Sequence, residues 1–473
     1  MAADWSTLRE LLLPVPGARR RGLEAALRDA VRTGRLRPGT RLPSSRDLAA
    51  QLGLARGTVT AAYDQLVAEG RLTTRHGSGT WVAEHPPSEH GPRASGTVNG
   101  SGASGTGNGL GAAASRGWRF DLGPGLPSLA AFPRAEWNAA SRAGLAALSD
   151  AELGYPDPAG HPPLRAELAA YLGRVRGVTA RPDEVVVTNG TFEALALLAA
   201  LLVADGHTAV ALEDPGNPEQ FELLRLHGLR PVAVPTDEHG LRVDALARTG
   251  CRAVLVTAAH QYPTGVALSP ERRAELLDWA RASDGLVIED DYDAEYRYDR
   301  PAQDALQAAA SDHVAYLGTL SKTLAPALRL GWMAVPSALR GAVAERKRLS
   351  DRGSPTLPQA AFADLLRSGA YDRHLRRTRR LYKGRRATLI ESLAHHLPEW
   401  RPQGIAAGLH VVLRLPDGCD DAEVTARLAR AGIRVAALSS YVHEHPADPG
   451  LVLGWARLSP DRIRNAIAAI ADA

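Results

Sequence analysis

Apolar residues recur at a helical period near the start of the chain. In RRGLEAALRDAVRTG, Leu23, Leu27, Ala30 and Val31 fall on one face, and Gly34 offers a C-terminal stop. After the turn RPGTRLP, the stretch SSRDLAAQLG opens on a Ser44–Asp47 capping box and closes at Gly53. ARGTVTAAYDQLVAEG turns Val59, Tyr63 and Leu66 inward and ends at Gly70. RLTTRHGSGTWVA then reads as strand, glycine turn and strand. Three helices followed by a basic β-hairpin predict a winged helix-turn-helix over residues 1–84.

The pattern lapses over residues 85–116, where Gly, Ser, Ala and Pro dominate and large apolar side chains are scarce. This composition predicts a flexible linker with an r.m.s. span of roughly 30 Å. Beyond it, β-branched runs alternate with helical ones: EVVVT before FEALALLAALLV, then TAVALE, CRAVLVT before PERRAELLDWARAS, GLVIEDDY and HVAYLGTL. Such alternation predicts an α/β domain with a mostly parallel sheet over 117–473. From about residue 340 the chain turns helical and arginine-rich, and it ends in a smaller α+β pattern (GLHVVLRLP, GLVLGWARL). No apolar run reaches the ~20 residues that span a bilayer. The N-terminus has its acid before and its arginines after a short apolar patch, the wrong order for a secretory signal. Cys251 and Cys419 are too few for a disulfide framework or a thiolate metal site, so a cytoplasmic protein without a metal centre is expected.

Charge separates the two domains. Residues 1–84 hold thirteen arginines against eight acids, a net of +5, so the overall +4 leaves −1 for the remainder. The basic excess marks the first domain as the partner of a polyanion. A helix-turn-helix needs short polar or basic side chains where its second helix enters the major groove. Arg56 suits a fork to guanine, Thr58 and Thr60 suit phosphate or base, and Gly57 permits close approach. Ser45 and Arg46 on the preceding helix suit phosphate, and Arg75, His76 and Gly77 at the wing tip suit backbone or minor groove. Taken singly, these arginines also fit a helical adaptor with a solvated basic face. As one string, GRLRPGTRLPSSRDLAAQLGLARGTVTAAYDQLVAEGRLTTRHGSGTWVA resembles the GntR-family winged helix over its full length. The resemblance implies double-stranded operator DNA as partner, contacted at Arg46, Arg56, Thr58, Thr60, His76 and Gly77. The string departs at Ala55 and Gly57, where many members carry a hydroxyl.

Lysine is rare: it occurs only at Lys322, Lys347 and Lys383, against 53 arginines. Lys322 stands in the small, apolar stretch GTLSKTLAP. A primary amine can condense with an aldehyde, whereas a guanidinium cannot. A site for a phosphorylated aromatic aldehyde also needs N–H donors at a helix start, and EVVVTNGTFEALALL offers Gly190 and Thr191 there. A ring nitrogen needs a carboxylate at a strand end, and GLVIEDDYDAEY ends a buried strand in acids. Three such acids call for a nearby cation; a metal is the rival reading, but no histidine stands close in sequence. TLSKTLAPALRLGW adds Thr319, Ser321 and Arg329 as phosphate ligands.

On these strings, above all SKTLAPALRLGW and IEDDYDAEYRY, residues ~118–473 resemble a fold-type-I, pyridoxal-phosphate-dependent aminotransferase. Joined to a GntR winged helix, this is the architecture of MocR-type transcriptional regulators. The resemblance implies pyridoxal 5'-phosphate as an aldimine on Lys322, Asp290 on the pyridinium nitrogen and Tyr292 on the ring hydroxyl. Gly190, Thr191, Thr319, Ser321 and Arg329 would hold the phosphate. Tyr155 would reach the phosphate of a second subunit, which implies a homodimer, and Tyr262 takes the position of an asparagine near the ring hydroxyl. Two positions depart. Asn217 stands where an aromatic usually stacks on the ring, and Val452 stands where an arginine usually binds the substrate carboxylate, with Arg457 five residues on. The expected function is a transcription factor whose operator affinity responds to pyridoxal phosphate, as in PdxR-type members that control vitamin B6 synthesis. The alternatives are a regulator sensing an amino compound through an external aldimine, a working aminotransferase, and a DNA-binding protein whose second domain has lost its cofactor.

Overall fold

The computed structural model describes residues 20–75, 79–84, 117–299 and 303–473. The chain falls into two compact units that divide between Ser104 and Gly105. The expected linker, 85–116, lies outside the described residues, as do His76 and Gly77.

The periodicity of the first unit becomes its core. Helices α1 (Arg20–Arg32), α2 (Ser45–Leu52) and α3 (Arg56–Ala68) precede strands β1 (Leu72–Arg75) and β2 (Gly79–Val82). Leu23, Leu27, Leu48, Val59 and Leu66 are buried together with Leu72 and Val82, so the hairpin closes the same core as the helices. Ser44 caps α2, accepting from the Asp47 amide at 3.2 Å and donating to its carboxylate at 2.7 Å. Gly53 ends α2 at φ +65°, a left-handed conformation that glycine adopts without strain. The hairpin is antiparallel, from Leu72 opposite Val82 to Arg75 opposite Gly79.

In the second unit, a sheet takes the order β4-β11-β10-β9-β8-β5-β6-β7 among the described residues. The strands are β4 (Val185–Thr188), β5 (Ala209–Asp214), β6 (Arg230–Asp237), β7 (Gly240–Leu241), β8 (Ala253–Val256), β9 (Leu286–Asp290), β10 (Val314–Thr319) and β11 (Gly331–Ala334), with β3 (Phe120–Asp121) apart from it. The pairs from β10 through β9, β8 and β5 to β6 are parallel, and β11 runs antiparallel between β4 and β10. Alternate strand residues supply two apolar layers. Ile288, Ala315 and Leu317 face the helix Thr191–Ala204, whereas Val287 and Val314 face the helix Pro270–Ser283. The helix Thr191–Ala204 is apolar nearly all round because it is enclosed. A smaller antiparallel sheet, β12 (Arg401–Gln403), β13 (His410–Arg414), β16 (Gly450–Gly454) and β15 (Ala436–Ala437), completes the unit, and β14 (Ile433–Arg434) pairs with β3.

Two consequences position the site. The parallel strands end on one side of the sheet, where α/β folds bind ligands. The antiparallel β11 starts on that side, and its register sets Gly331 opposite both Thr188 and Thr319. A Cβ on Gly331 would lie 2.8 Å from Gly190 Cα and 2.9 Å from the Gly318 carbonyl, so backbones meet here as only glycine allows. Strand β6 escapes the sequence pattern: RPVAVPTD carries two prolines yet pairs beside the short edge strand β7.

Candidate functional site

Lys322 follows β10 by three residues, and its Nζ donates to the Gly125 carbonyl at 2.6 Å. Burial pulls its pKa below the usual lysine range, against the opposing charges of Asp293, Asp290 and Glu219. That shift makes the neutral, nucleophilic amine more accessible. Gly125 is itself anchored. Arg457 grips Asp121 at 2.5–2.7 Å and donates to the Gly123 carbonyl, so the arginine beyond Val452 holds backbone and offers no free carboxylate site.

Asp290 ends β9 with its carboxyl buried. Gln220 Nε2 donates to Oδ2 at 2.9 Å, while Oδ1 is buried without a partner. Burial, helped by the charge of Asp291, pushes its pKa up to about 7, despite Lys322 and Gln220. The cation that the acid cluster requires is Arg176, which meets Asp291 at 2.7 Å with both side chains 2% exposed. Tyr316 also donates to Asp291 at 2.7 Å. Each aspartate keeps one buried oxygen without a partner, but Asp291 has its countercharge in Arg176, whereas Asp290 has only the neutral amide of Gln220 and the nearby charge of Lys322. A protonated ring nitrogen fits there.

The anion cradle lies at the ends of β4 and β10. Gly190 caps the helix Thr191–Ala204 at φ +96°, and a Cβ there would come within 3.0 Å of Arg329 Nη2. Arg329 donates to the Asn189 carbonyl, Thr319 Oγ1 donates to Ser321 Oγ at 3.0 Å, and the Ser321 amide donates back at 3.1 Å. Helix-start amides, two hydroxyls and a guanidinium make an anion site. Lys347 stands behind it, fully buried, with Glu193 at 2.9 Å and Asp351 at 2.7 Å. Glu193 in turn accepts from the Asn189 amide at 2.6 Å.

The hydroxyl of Tyr292 donates to the His260 carbonyl at 2.9 Å, and its ring meets that of Tyr262 edge-on at 6.0 Å. Tyr262 shares a 3.0 Å hydrogen bond with Tyr441. Val452 is fully buried in β16, opposite Val412 and Ala436, in an apolar cluster that reaches Tyr441 and Tyr262. Asn217 spends its side chain capping the helix Pro218–Leu226, accepting from the Glu219 amide at 3.1 Å. Tyr155 stands apart, 82% exposed, with the Arg352 guanidinium 5.2 Å from its ring. Sequence reasoning missed Gly125, Gln220 and Glu213, the last a buried acid bonded to Thr257. It also found no histidine near the acids, yet folding brings His260 and His410 to Asp293.

In the first unit, Arg46, Arg56 and Thr60 are exposed and Ser45 and Thr58 half-buried. Ala55 leaves α3 without a side-chain cap, and within the first turn the Thr58 amide turns back to the Ala55 carbonyl at 2.9 Å. Thr60 returns its hydroxyl to the Arg56 carbonyl at 3.1 Å. Arg75 ends β1.

Residues 121–470 match the family described as aminotransferase class I and II, and residues 19–82 match bacterial regulatory proteins of the gntR family. The probable rhizopine catabolism regulatory protein MocR of Rhizobium meliloti is 35% identical over 462 residues, 96% of this chain and 93% of that protein. The chain belongs to the MocR-type regulators. Another regulator of this type, the pyridoxine biosynthesis transcriptional regulator PdxR of Corynebacterium glutamicum, is 36% identical over 460 residues, 95% of each protein. The aminotransferase part of this MocR-type chain superposes on an archaeal alanine:glyoxylate aminotransferase with a TM-score of 0.70, 26% identity and coverage of 76% of this chain and 91% of that one. Among the described residues, no helix is long and apolar enough to cross a membrane.

The raised Asp290 pKa yields a prediction. Between its ordinary value and about 7, the folded protein keeps a proton that the unfolded chain releases, so this contribution to stability declines as pH rises through that window. In cofactor-free protein, Asp290→Asn should raise the melting temperature at pH 8 by about 1–3 °C and flatten its decline between pH 5 and 8. An unchanged pH slope would contradict the raised value.

Proposed function

We propose that this regulator reads operator DNA with α3 and the β1–β2 wing, and that pyridoxal phosphate held at Lys322 sets its affinity for that DNA. The observation that carries the reading is the open Oδ1 of Asp290 beside a desolvated lysine amine and an anion cradle, in a domain whose carboxylate-arginine position holds Val452. When bound, pyridoxal phosphate supplies an aldehyde that condenses with a primary amine. Lys322 provides that amine and Asp290 accepts the proton of the ring nitrogen. Tyr292, with Tyr262 beside it, faces the ring hydroxyl. Gly190, Thr191, Thr319, Ser321 and Arg329 hold the phosphate.

Transamination also requires the amino substrate to be oriented, normally through its carboxylate. The apolar burial of Val452 and the commitment of Arg457 to Asp121 leave neither of these two positions for that task, which favours sensing over turnover. The PdxR relative is named for pyridoxine biosynthesis, and control of vitamin B6 synthesis in the cytoplasm is the matching role for this chain.

The working unit is a homodimer. Of eight exposed large apolar side chains among the described residues, six fall on residues 129–155 and 349–357, Tyr155 among them. A second copy covering that surface would bring Tyr155 to its partner's phosphate. The effector acts by binding two arrangements of the dimer unequally.

Pyridoxal phosphate should change the affinity of the protein for its own promoter fragment by at least about fivefold in fluorescence anisotropy. Lys322→Ala should bind the fragment without responding. Steady turnover of amino and keto acids, with DNA affinity indifferent to the cofactor, would replace this reading with that of an aminotransferase. Separately, Arg56→Ala should weaken operator binding by about 1–3 kcal/mol and relax base preference at one position. Unchanged binding would mean that α3 is not the reader.

A further inference from the structure

His260 lies in the loop after β8, Asp293 just past β9, and His410 at the start of β13, yet the three meet, each at most 5% exposed. His260 Nδ1 lies 3.1 and 3.2 Å from the two carboxylate oxygens of Asp293. The same nitrogen is 3.2 Å from the Tyr292 hydroxyl, which donates to the His260 carbonyl at 2.9 Å. The His410 ring lies 4.8 Å from that of His260, and its Nε2 meets the Pro263 carbonyl at 3.1 Å. Gly408 has φ +65°, and a Cβ there would overlap both the His260 ring and the Asp293 carboxylate, so the chain leaves room for this pair.

From this geometry we infer that His260 and Asp293 are positioning residues that keep Tyr292 a hydrogen-bond donor toward the cofactor's ring oxygen. The inference rests on the pyridoxal phosphate reading above. A carboxylate accepts only, so Asp293 places the ring proton on His260 Nδ1. Tyr292 then finds a donor at Nδ1 and has two directions for its own proton, the His260 carbonyl or the ring oxygen. When it turns to the ring oxygen, the one Nδ1–H, shared between the Asp293 carboxylate at 3.1–3.2 Å and the hydroxyl at 3.2 Å, faces the lone pair that remains. Donation to an ionised oxygen favours its charged form, so the arrangement lowers the pH at which the bound chromophore titrates. The other groups around Tyr292 are Asp290, Glu213 and Tyr262, with Lys322 and His410 nearby; none of them hydrogen-bonds its hydroxyl. A metal ion at His260, Asp293 and His410 is the competing use of these side chains, but Asp293 and Pro263 already engage one nitrogen of each ring, His260 Nδ1 and His410 Nε2.

The test is the pH midpoint of the visible absorption band of the full-length protein loaded with pyridoxal phosphate. Two amides of different reach replace the imidazole without adding charge. His260→Asn, whose amide nitrogen falls near the place of Nδ1, should hold the midpoint within a few tenths of the wild-type value. His260→Gln, whose amide lies one bond farther, should raise it by about one pH unit. In a Tyr292→Phe background the two amides should give the same midpoint. Equal midpoints for wild type and both amides, or equal shifts in both amides, would overturn the inference, as would a wild-type midpoint that moves on chelation with EDTA. Absence of any visible band in the wild-type protein would instead reject the cofactor reading itself.

Discussion

The amine of Lys322 donates to the Gly125 carbonyl in a half-buried site, within the fields of the Asp293, Asp290 and Glu219 charges. Keeping a lone amine and several acids in such a place costs solvation, and the surrounding elements serve to offset it. Arg457 fixes Asp121 and through it the segment that carries Gly125. Arg176 gives Asp291 its countercharge, whereas Asp290 is left with the neutral amide of Gln220. Lys347, buried between Glu193 and Asp351, stiffens the turn before the anion cradle. Each of these ion pairs is far from surface decoration, and each fixes backbone within reach of the pocket.

The price is visible in the acids. Asp290 and Glu213 are both pushed up to about 7 by burial, and an acid raised in the folded state works against stability at neutral pH. Such groups persist where a ligand gives them a partner. The substrate side shows the opposite economy: Val452, Val412 and Ala436 pack as an ordinary apolar sheet, and Asn217 serves its own helix. In the proposed function, this contrast is a cofactor site kept without the usual arginine for a substrate carboxylate, which suits a domain that reports a molecule to DNA.

Much of this was legible in order along the chain, because local periodicity carries it. Leu23, Leu27, Val59 and Leu66 mark the packed face of the first domain by spacing, and the runs ending at Thr188, Asp290 and Thr319 mark strands whose ends carry the candidate site. What was hidden depends on contacts distant in sequence. Two prolines mask β6, which is tolerated because only a two-residue strand lies beyond it. Lys347 reads as a solvated charge until Glu193 arrives from another helix. His260 and His410 carry no pattern that announces Asp293, since their meeting is a product of how the small sheet packs. The antiparallel β11 likewise has no local signature, yet its register sets Gly331 between Thr188 and Thr319 at the anion cradle.

The central claim is that one particular lysine among three carries the cofactor. Borohydride reduction of the pyridoxal phosphate complex, followed by peptide mapping, tests it directly. The label should fall on the peptide containing Lys322 at about one per chain, and Lys322→Ala should remove it. A label on Lys347 or Lys383, or none despite saturating cofactor, would contradict the account.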